Sequence, residues 1–286
     1  MNAMLKLATR YPDKRVLITG ATSGLGEALA LLFAAAGFRV AVASRNPAKV
    51  AATVARVEQA GGSGLGINLD VTQAQDFASA VAQVEQAWGG LDILVNNAGV
   101  ITAGKLQDVG LDVWQQSMET DLWSVIHGCR LFLPLLEKSG GGHIVNVASA
   151  AGLLSGPDLA TYNVAKAGVI CLSETLRVEL AEKRIDVTVS CPTVFKSHLL
   201  DQQGHEGDVV EGVTAEGLSR DMATTHISSD DVAHSLIRAM ARRRMYDLPQ
   251  RDARLNWWLA RTFPETFRKI ILYLYRHRLW IFNSGN

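Results

Sequence analysis

Residues 15–26 read RVLITGATSGLG, and this stretch decides the fold. An apolar run of strand character enters a turn carrying Gly20, Gly24 and Gly26. A helical pattern follows over 25–36, and Gly37 supplies a stop. Glycine permits tight backbone geometry in such a turn and close approach of a pyrophosphate. Free amides at the helix start can then receive the negative charge. The turn alone is weak, because any tight strand-to-helix turn can use glycine. Its place after the first strand of a strand–helix–strand unit strengthens it. No Lys-Ser or Lys-Thr follows the glycines, which disfavours a phosphate-transfer loop.

Working outward, apolar runs at 39–44, 65–69, 91–96, 143–149 and 184–190 read as further strands. Helical patterns separate them at 47–60, 73–88, 111–137 and 159–181. A last helix is expected over 229–240 and a short strand at 246–248. Apolar strands alternating with such helices specify an α/β fold, a parallel sheet covered on both faces. Right-handed crossovers gather strand ends and helix starts along one edge, where a ligand should lie.

That edge collects candidate cofactor contacts. Gly20, Thr22, Ser23, Gly24, Leu25 and Gly26 form the first turn. The second strand ends in Ser44-Arg45 rather than in an acid that would hold both ribose hydroxyls of NAD. A guanidinium suits a ribose 2′-phosphate, so NADP(H) is preferred, with NAD(H) still possible. The bland alternative is an arginine solvating the sheet edge. Asp70, followed by Val71, could accept from an adenine amino group. Asn96-Asn97-Ala98-Gly99 closes the fourth strand. Its small residues would admit adenosine, and its asparagines could tie neighbouring loops or merely cap a turn.

Downstream lies SAAGLLSGPDLATYNVAK, residues 149–166. Tyr162 and Lys166 share one helical face, one turn apart. A phenol has a pKa near 10, and a neighbouring ammonium favours its ionised form. The Ser149 hydroxyl can hold a substrate oxygen beside it. These groups are suited to moving a proton to or from an alcohol or carbonyl oxygen.

The ordered set TGATSGLG, DVT at 70–72, NNAG at 96–99, Ser149 and YNVAK at 162–166 resembles the short-chain dehydrogenase/reductase family. The resemblance covers about residues 13–248. It implies a single Rossmann-like three-layer domain with a mostly parallel seven-stranded sheet, usually without metal, commonly a homodimer or homotetramer. It makes Tyr162 the acid/base residue, Lys166 the nicotinamide-ribose ligand that lowers the tyrosine pKa, and Ser149 the group positioning the reacting oxygen. It also assigns the glycine roles to Gly20, Gly24 and Gly26, and the adenine-binding acid to Asp70. Two departures stand out. The family commonly has asparagine where this chain has Asp121, in Asp121-Leu122-Trp123-Ser124, at a local break in the long helix. There the asparagine helps hold a water beside the lysine, largely through its backbone carbonyl. Aspartate keeps that carbonyl and could add an ion pair with Lys166. Second, CPTVFKS at 191–197 lacks the common glycine after Pro192. Val194 is the counterpart of the residue whose backbone meets the carboxamide, and Ser197 an approximate counterpart of the usual threonine.

Beyond residue 192 the strand–helix pattern weakens. Residues 201–230 carry seven acids and one base. The stretch 193–228 reads as a substrate loop or lid, or as a variable surface insertion. Residues 241–286 reverse the balance, with ten bases and three acids among many aromatics. The sequence FRKIILYLYRHRLWIF is apolar and basic at once. The extension 249–286 could cover an apolar cleft, form a subunit interface, or lie on an anionic membrane. Nucleic-acid contact is a further reading of interleaved bases and aromatics, though no such partner is expected. The extension directs the substrate expectation toward an apolar alcohol, ketone or aldehyde.

The whole chain sets the bounds. It has 286 residues with 28 basic and 28 acidic side chains, so no global charge draws it to nucleic acid. Three cysteines, none in a CxxC pair, argue against a disulfide framework or zinc site and fit a reducing compartment. The N-terminus lacks the apolar core of a signal peptide, and no uncharged run is long enough to span a bilayer. The expectation is a cytoplasmic protein, with peripheral membrane contact as the open alternative. A catalytically weak nucleotide-binding scaffold and an epimerase or dehydratase are the rival functions.

Overall fold

Strand β1 (Arg15–Thr19) is buried along its whole length. The computed structural model describes residues 3–197 and 213–279. On one side β1 pairs with β2 (Arg39–Ser44), and β3 (Ser63–Asn68) pairs beyond it. On the other side lie β4 (Ile93–Asn96), β5 (Gly142–Val147), β6 (Ile185–Ser190) and β7 (Tyr246–Asp247). The sheet has seven strands in the order β3-β2-β1-β4-β5-β6-β7, and every pairing is parallel.

Strand periodicity divides the core in two. Val16 and Ile18 face a cluster with Leu29, Phe33 and Val232, whereas Leu17 faces one with Phe77, Phe132 and Val169. The first cluster is covered by α1 (Ala3–Arg10), α2 (Gly24–Ala35), α3 (Pro47–Gln59) and α10 (Ser229–Ala241). The second is covered by α4 (Ala74–Trp88), α6 (Ser124–Lys138) and α8 (Ala160–Glu179). The chain leaves β1 toward β2 but leaves β4 toward β5. Their C-terminal ends therefore open a crevice at the switch in strand order.

Three features add detail to the sequence reading. Helix α1 has no counterpart in the strand–helix pattern. It is held by tertiary contacts: Leu7 is buried, and Arg10 donates to the carbonyls of Met240 and Ala241, each at 3.2 Å. The helical region over 111–137 is divided into α5 (Leu111–Met118), a π-helical turn (Glu119–Trp123) and α6, the local break around Asp121 taking the form of the π-helical turn. The wider turn carries Asp121 into the interior, where it has no exposed surface. The extension folds as α11 (Arg251–Thr262) and α12 (Pro264–Arg276), broken at Phe263-Pro264, with proline in the first turn of α12. Within the stretch read as a lid, residues 198–212 lie outside the described residues, while Val213–Thr224 form α9. Gly204, Gly207 and Gly212 fall outside as well.

Candidate active site

The crevice is one continuous cleft of about 580 Å3. At its nucleotide end, Gly20 takes a left-handed φ of +63°, and a Cβ there would meet the Ala98 Cα at 2.9 Å. Thr22, Ser23, Gly24 and Leu25 continue the lining. Ser23 is the N-cap of α2 without a side-chain bond to its amides. The turn thus presents backbone donors at the positive end of a helix, a fit for a pyrophosphate. Gly26 does not line the cleft itself. A Cβ there would sit 2.3 Å from the Gly20 carbonyl oxygen and 2.5 Å from Asn97 Nδ2. Its smallness serves close packing of α2 against the turn.

Asn97 fastens the ends of β1 and β4. Its Nδ2 donates to the Thr19 and Gly20 carbonyls at 2.9 and 3.2 Å, and its backbone N–H donates to Thr19 Oγ1 at 2.9 Å. Ala98 N–H shares that hydroxyl at 3.0 Å. Sequence reading missed Thr19, which accepts from both amides. Asn96 works one layer down, donating to Asn146 Oδ1 at 2.9 Å, and Asn146 donates to Ser173 Oγ at 2.9 Å.

Ser44, Arg45, Asp70 and Val71 border the same end. Ser44 Oγ accepts from Thr22 Oγ1 at 3.1 Å. Arg45 is exposed, and its guanidinium makes no hydrogen bond or ion pair among the described residues. Asp70 Oδ1 accepts from the Thr72 N–H and hydroxyl at 3.0 and 2.8 Å, which fixes its carboxylate at the rim.

Ser149, Tyr162 and Lys166 meet in the middle of the cleft. Ser149 follows β5, and its Oγ accepts from the N–H of Ala151 at 3.1 Å, where the short helix α7 (Ala151–Leu154) begins. Tyr162 and Lys166 are buried in the first turns of α8. Lys166 Nζ stands 5.5 Å from the Tyr162 ring centre, 3.4 Å from the Val147 carbonyl oxygen and 3.1 Å from Asp121 Oδ1. Burial works against the Lys166 ammonium, but Asp121 and then Tyr162 outweigh it, and the lysine pKa is raised. The Tyr162 pKa is also raised. Burial raises it most, Lys166 lowers it as expected, and Asp121 adds to the rise. The Ser149 hydroxyl bonds in the lowering direction.

Asp121 does not line the cleft. Its Oδ1 accepts from Val100 N–H at 3.0 Å as well as from Lys166. Its Oδ2 and the Ser117 hydroxyl are buried without partners in hydrogen-bond geometry among the described residues. Asp121 therefore acts on the site through Lys166, as a positioning residue. Gly99 makes room for that contact, because a Cβ would lie 2.7 Å from Asp121 Oδ1 and 3.1 Å from Lys166 Nζ.

Pro192 and Val194 line the cleft after β6. Their loop is held by Gln250, which sequence reading missed: its Oε1 accepts from Thr193 N–H at 3.1 Å. Ser197 also lines the cleft, and its buried Oγ has no partner among the described residues. An orphaned hydroxyl beside the glycine turn fits a polar ligand there. The opposite end is apolar. Ile101, Leu159, Tyr162 and Leu218 form a buried cluster with Ala151 and Val194 beside them. Phe267 and Ile271 of α12 close that end. Only the basic, aromatic composition around residue 267 hinted at them, and it did not specify which side chains turn inward.

Fold and site together define a nicotinamide-dependent type of cleft, and sequence comparison agrees. A family model for the short chain dehydrogenases matches residues 14–207. The chain belongs to this family. It is 38% identical over 184 residues to a 3beta-hydroxysteroid dehydrogenase of Mediterraneibacter gnavus, covering 64% of this chain and 66% of that protein. It is 29% identical over 263 residues to the probable oxidoreductase EphD of Mycobacterium tuberculosis, covering 90% of this chain but 44% of that one. The chain thus spans two thirds or less of these relatives' own lengths. A short chain dehydrogenase/reductase of Burkholderia phymatum, solved in complex with NAD, superposes with a TM-score of 0.82 at 30% identity. That match covers 89% of this chain and 95% of the other. No helix among the described residues is long and apolar enough to cross a membrane.

Proposed function

We propose that this protein is an NADP(H)-preferring oxidoreductase that interconverts a bulky apolar alcohol and its carbonyl compound, with Tyr162 as acid/base. The observation that carries this reading is the convergence of Ser149, Tyr162 and Lys166 on a cleft shared by the glycine turn and an apolar pocket. A bound nicotinamide supplies or takes up the hydride. For reduction, Tyr162 Oη gives its proton to the carbonyl oxygen as hydride reaches the carbonyl carbon. For oxidation, the phenolate takes the hydroxyl proton. The raised Tyr162 pKa keeps the phenol protonated near neutrality, which suits donation. Ser149 Oγ, steadied by Ala151 N–H, orients the reacting oxygen. Lys166 keeps a positive charge beside the phenol and offers donors to ribose hydroxyls.

The cofactor preference rests on Arg45, a guanidinium at the rim without a partner among the described residues, and on the lack of an acid closing β2. The Burkholderia phymatum structure contains NAD, so NADH is the comparison that matters. The substrate class rests on the cleft's apolar end and on similarity to a 3beta-hydroxysteroid dehydrogenase.

The experiment is a ketone and alcohol panel followed by NADPH and NADH absorbance. Turnover is expected with NADPH and an alicyclic ketone. Turnover that survives Tyr162→Phe at wild-type level would remove the acid/base assignment. A second reading, a catalytically weak nucleotide-binding protein, is favoured by the direct Asp121–Lys166 contact. Cofactor binding with no turnover of any panel member would establish it instead.

A further inference from the structure

We propose that α12 is the specificity wall of the substrate cleft, with Phe267 and Ile271 contacting the body of a fused-ring alcohol or ketone, and that Arg268 and Tyr275 hold this wall in place. The substrate class rests on the oxidoreductase reading above. The wall itself rests on packing. The family model ends at residue 207, so it assigns nothing to these side chains.

Helix α12 is amphipathic, and its apolar face is turned inward. Phe267 is 5% exposed, and Ile271, Leu274 and Tyr275 are half-buried. These positions recur at the spacing of one helical face. The remaining residues of α12 are exposed, Ile270, Leu272 and Tyr273 among them. The helix thus spends its apolar stripe on the cleft and its surroundings. Of that face, Phe267 and Ile271 reach the cleft, where Leu154, Leu159 and Tyr162 also line it.

Two side chains fasten the wall to the loop that precedes Tyr162. Arg268 Nη1 donates to the Leu154 carbonyl at 2.6 Å and to that of Ser155 at 3.3 Å. Tyr275 Oη donates to Asp158 Oδ1 at 3.0 Å. Ser155 and Asp158 both adopt left-handed φ angles, +52° and +56°. Neither is glycine, so surrounding contacts must maintain the conformation. The site contributes others: Asn163 Nδ2 donates to the Gly156 carbonyl at 2.7 Å, and Gly104 N–H to that of Asp158 at 2.8 Å. The strained loop is therefore clamped between α8 and α12. Leu154, Gly156 and Leu159 enter the cleft from it. The clamp sets how far the loop stands from α12, and so which widths of substrate fit.

The test uses the full chain saturated with NADP+, in which a ketone binds without reacting. The probes are trans-2-decalone and cyclohexanone, and affinity is measured by calorimetry. Wild type is expected to prefer decalone. Phe267→Ala should weaken decalone by about tenfold and cyclohexanone by less than about twofold, since only the larger ring system reaches residue 267. Affinity for NADP+ should not change. Ile271→Trp, which keeps the apolar face but fills the cleft, should abolish decalone binding and retain cyclohexanone. In turnover assays with NADPH in place of NADP+, Arg268→Ala and Tyr275→Phe should raise KM for decalone while leaving kcat for cyclohexanone unchanged. Equal weakening of both ketones, no weakening, or a wild type that fails to bind decalone would each overturn the proposal. Discrimination between the ketones without turnover of either would sustain the wall and discard the reaction. Normal turnover without discrimination would do the reverse.

Discussion

The nucleotide end and the substrate end of the cleft are built by different means. At the nucleotide end, strand termini and helix starts that belong to the sheet's own crossovers supply the lining, and Thr19 and Asn97 lock them together. At the substrate end, α9, α11 and α12, outside those crossovers, add to a lining begun by Ile101, Leu154 and Leu159. The first region cannot change without moving the sheet. The second can change while the sheet stays as it is. Chemistry common to a family belongs in the first, and selection among substrates belongs in the second.

The largest expected effect tests the junction of the two regions. Tyr162→Phe should lower kcat by about 10^3-fold, within the range for loss of a positioned general acid. The fold and NADPH affinity should stay near wild type, measured by thermal melting and fluorescence titration. A comparable loss of NADPH affinity would mean that Tyr162 belongs mainly to the nucleotide region. Next comes the rigidity of that region. Gly26→Ala pushes a methyl against the Gly20 carbonyl and Asn97, and overpacking of this kind costs about 1–3 kcal/mol. The melting temperature should fall and NADPH should bind more weakly. An unchanged variant would show that the turn gives way easily, and the contrast with the substrate end would disappear.

The same contrast explains what could be read in the sequence. Glycines and asparagines at strand ends answer to local backbone demands, so Gly20, Gly24 and Asn97 are legible in the order of residues. Ser149, Tyr162 and Lys166 were legible because a helical period and a strand end bring them to one edge. Gly26 and Gly99 were legible as small residues, but their reasons lay in tertiary contacts: the Asn97 amide for one, the Asp121–Lys166 pair for the other. The π-helical turn at Glu119–Trp123 could not be read from apolar period, since one inserted residue leaves the pattern of a long helix nearly intact. Phe267 and Gln250 act across the whole chain, and nothing in their neighbours marks which side chain turns inward.

Cofactor choice is a smaller and more local matter. Arg45→Ala should raise the NADPH dissociation constant about tenfold, the worth of one exposed charge-assisted contact, and leave NADH within about twofold. Parallel titrations of both cofactors read the ratio. Equal shifts would remove Arg45 as the discriminating group and assign the choice to the turn itself.

The smallest expected effect lies at Asp121, which is buried behind the junction and touches neither region's ligand. Burial raises the Asp121 pKa, and the Lys166 ammonium opposes that rise. As a carboxylate, Asp121 raises the Tyr162 pKa directly and holds Lys166 charged. Asp121→Asn removes the first influence and weakens the second. Alcohol oxidation needs the phenolate, so its rate rises with pH through the Tyr162 pKa. With Lys166 still protonated near neutrality, loss of the aspartate charge lowers that pKa. The rising limb of the pH–kcat profile should therefore move to lower pH by on the order of one unit or less, with kcat at the optimum within about threefold. A shift to higher pH would show that Asp121 matters chiefly by keeping Lys166 protonated, because a neutral lysine would cease to favour the phenolate. Superimposable profiles would remove the Asp121 charge from the proton chemistry and leave it the structural task of accepting from Val100 N–H.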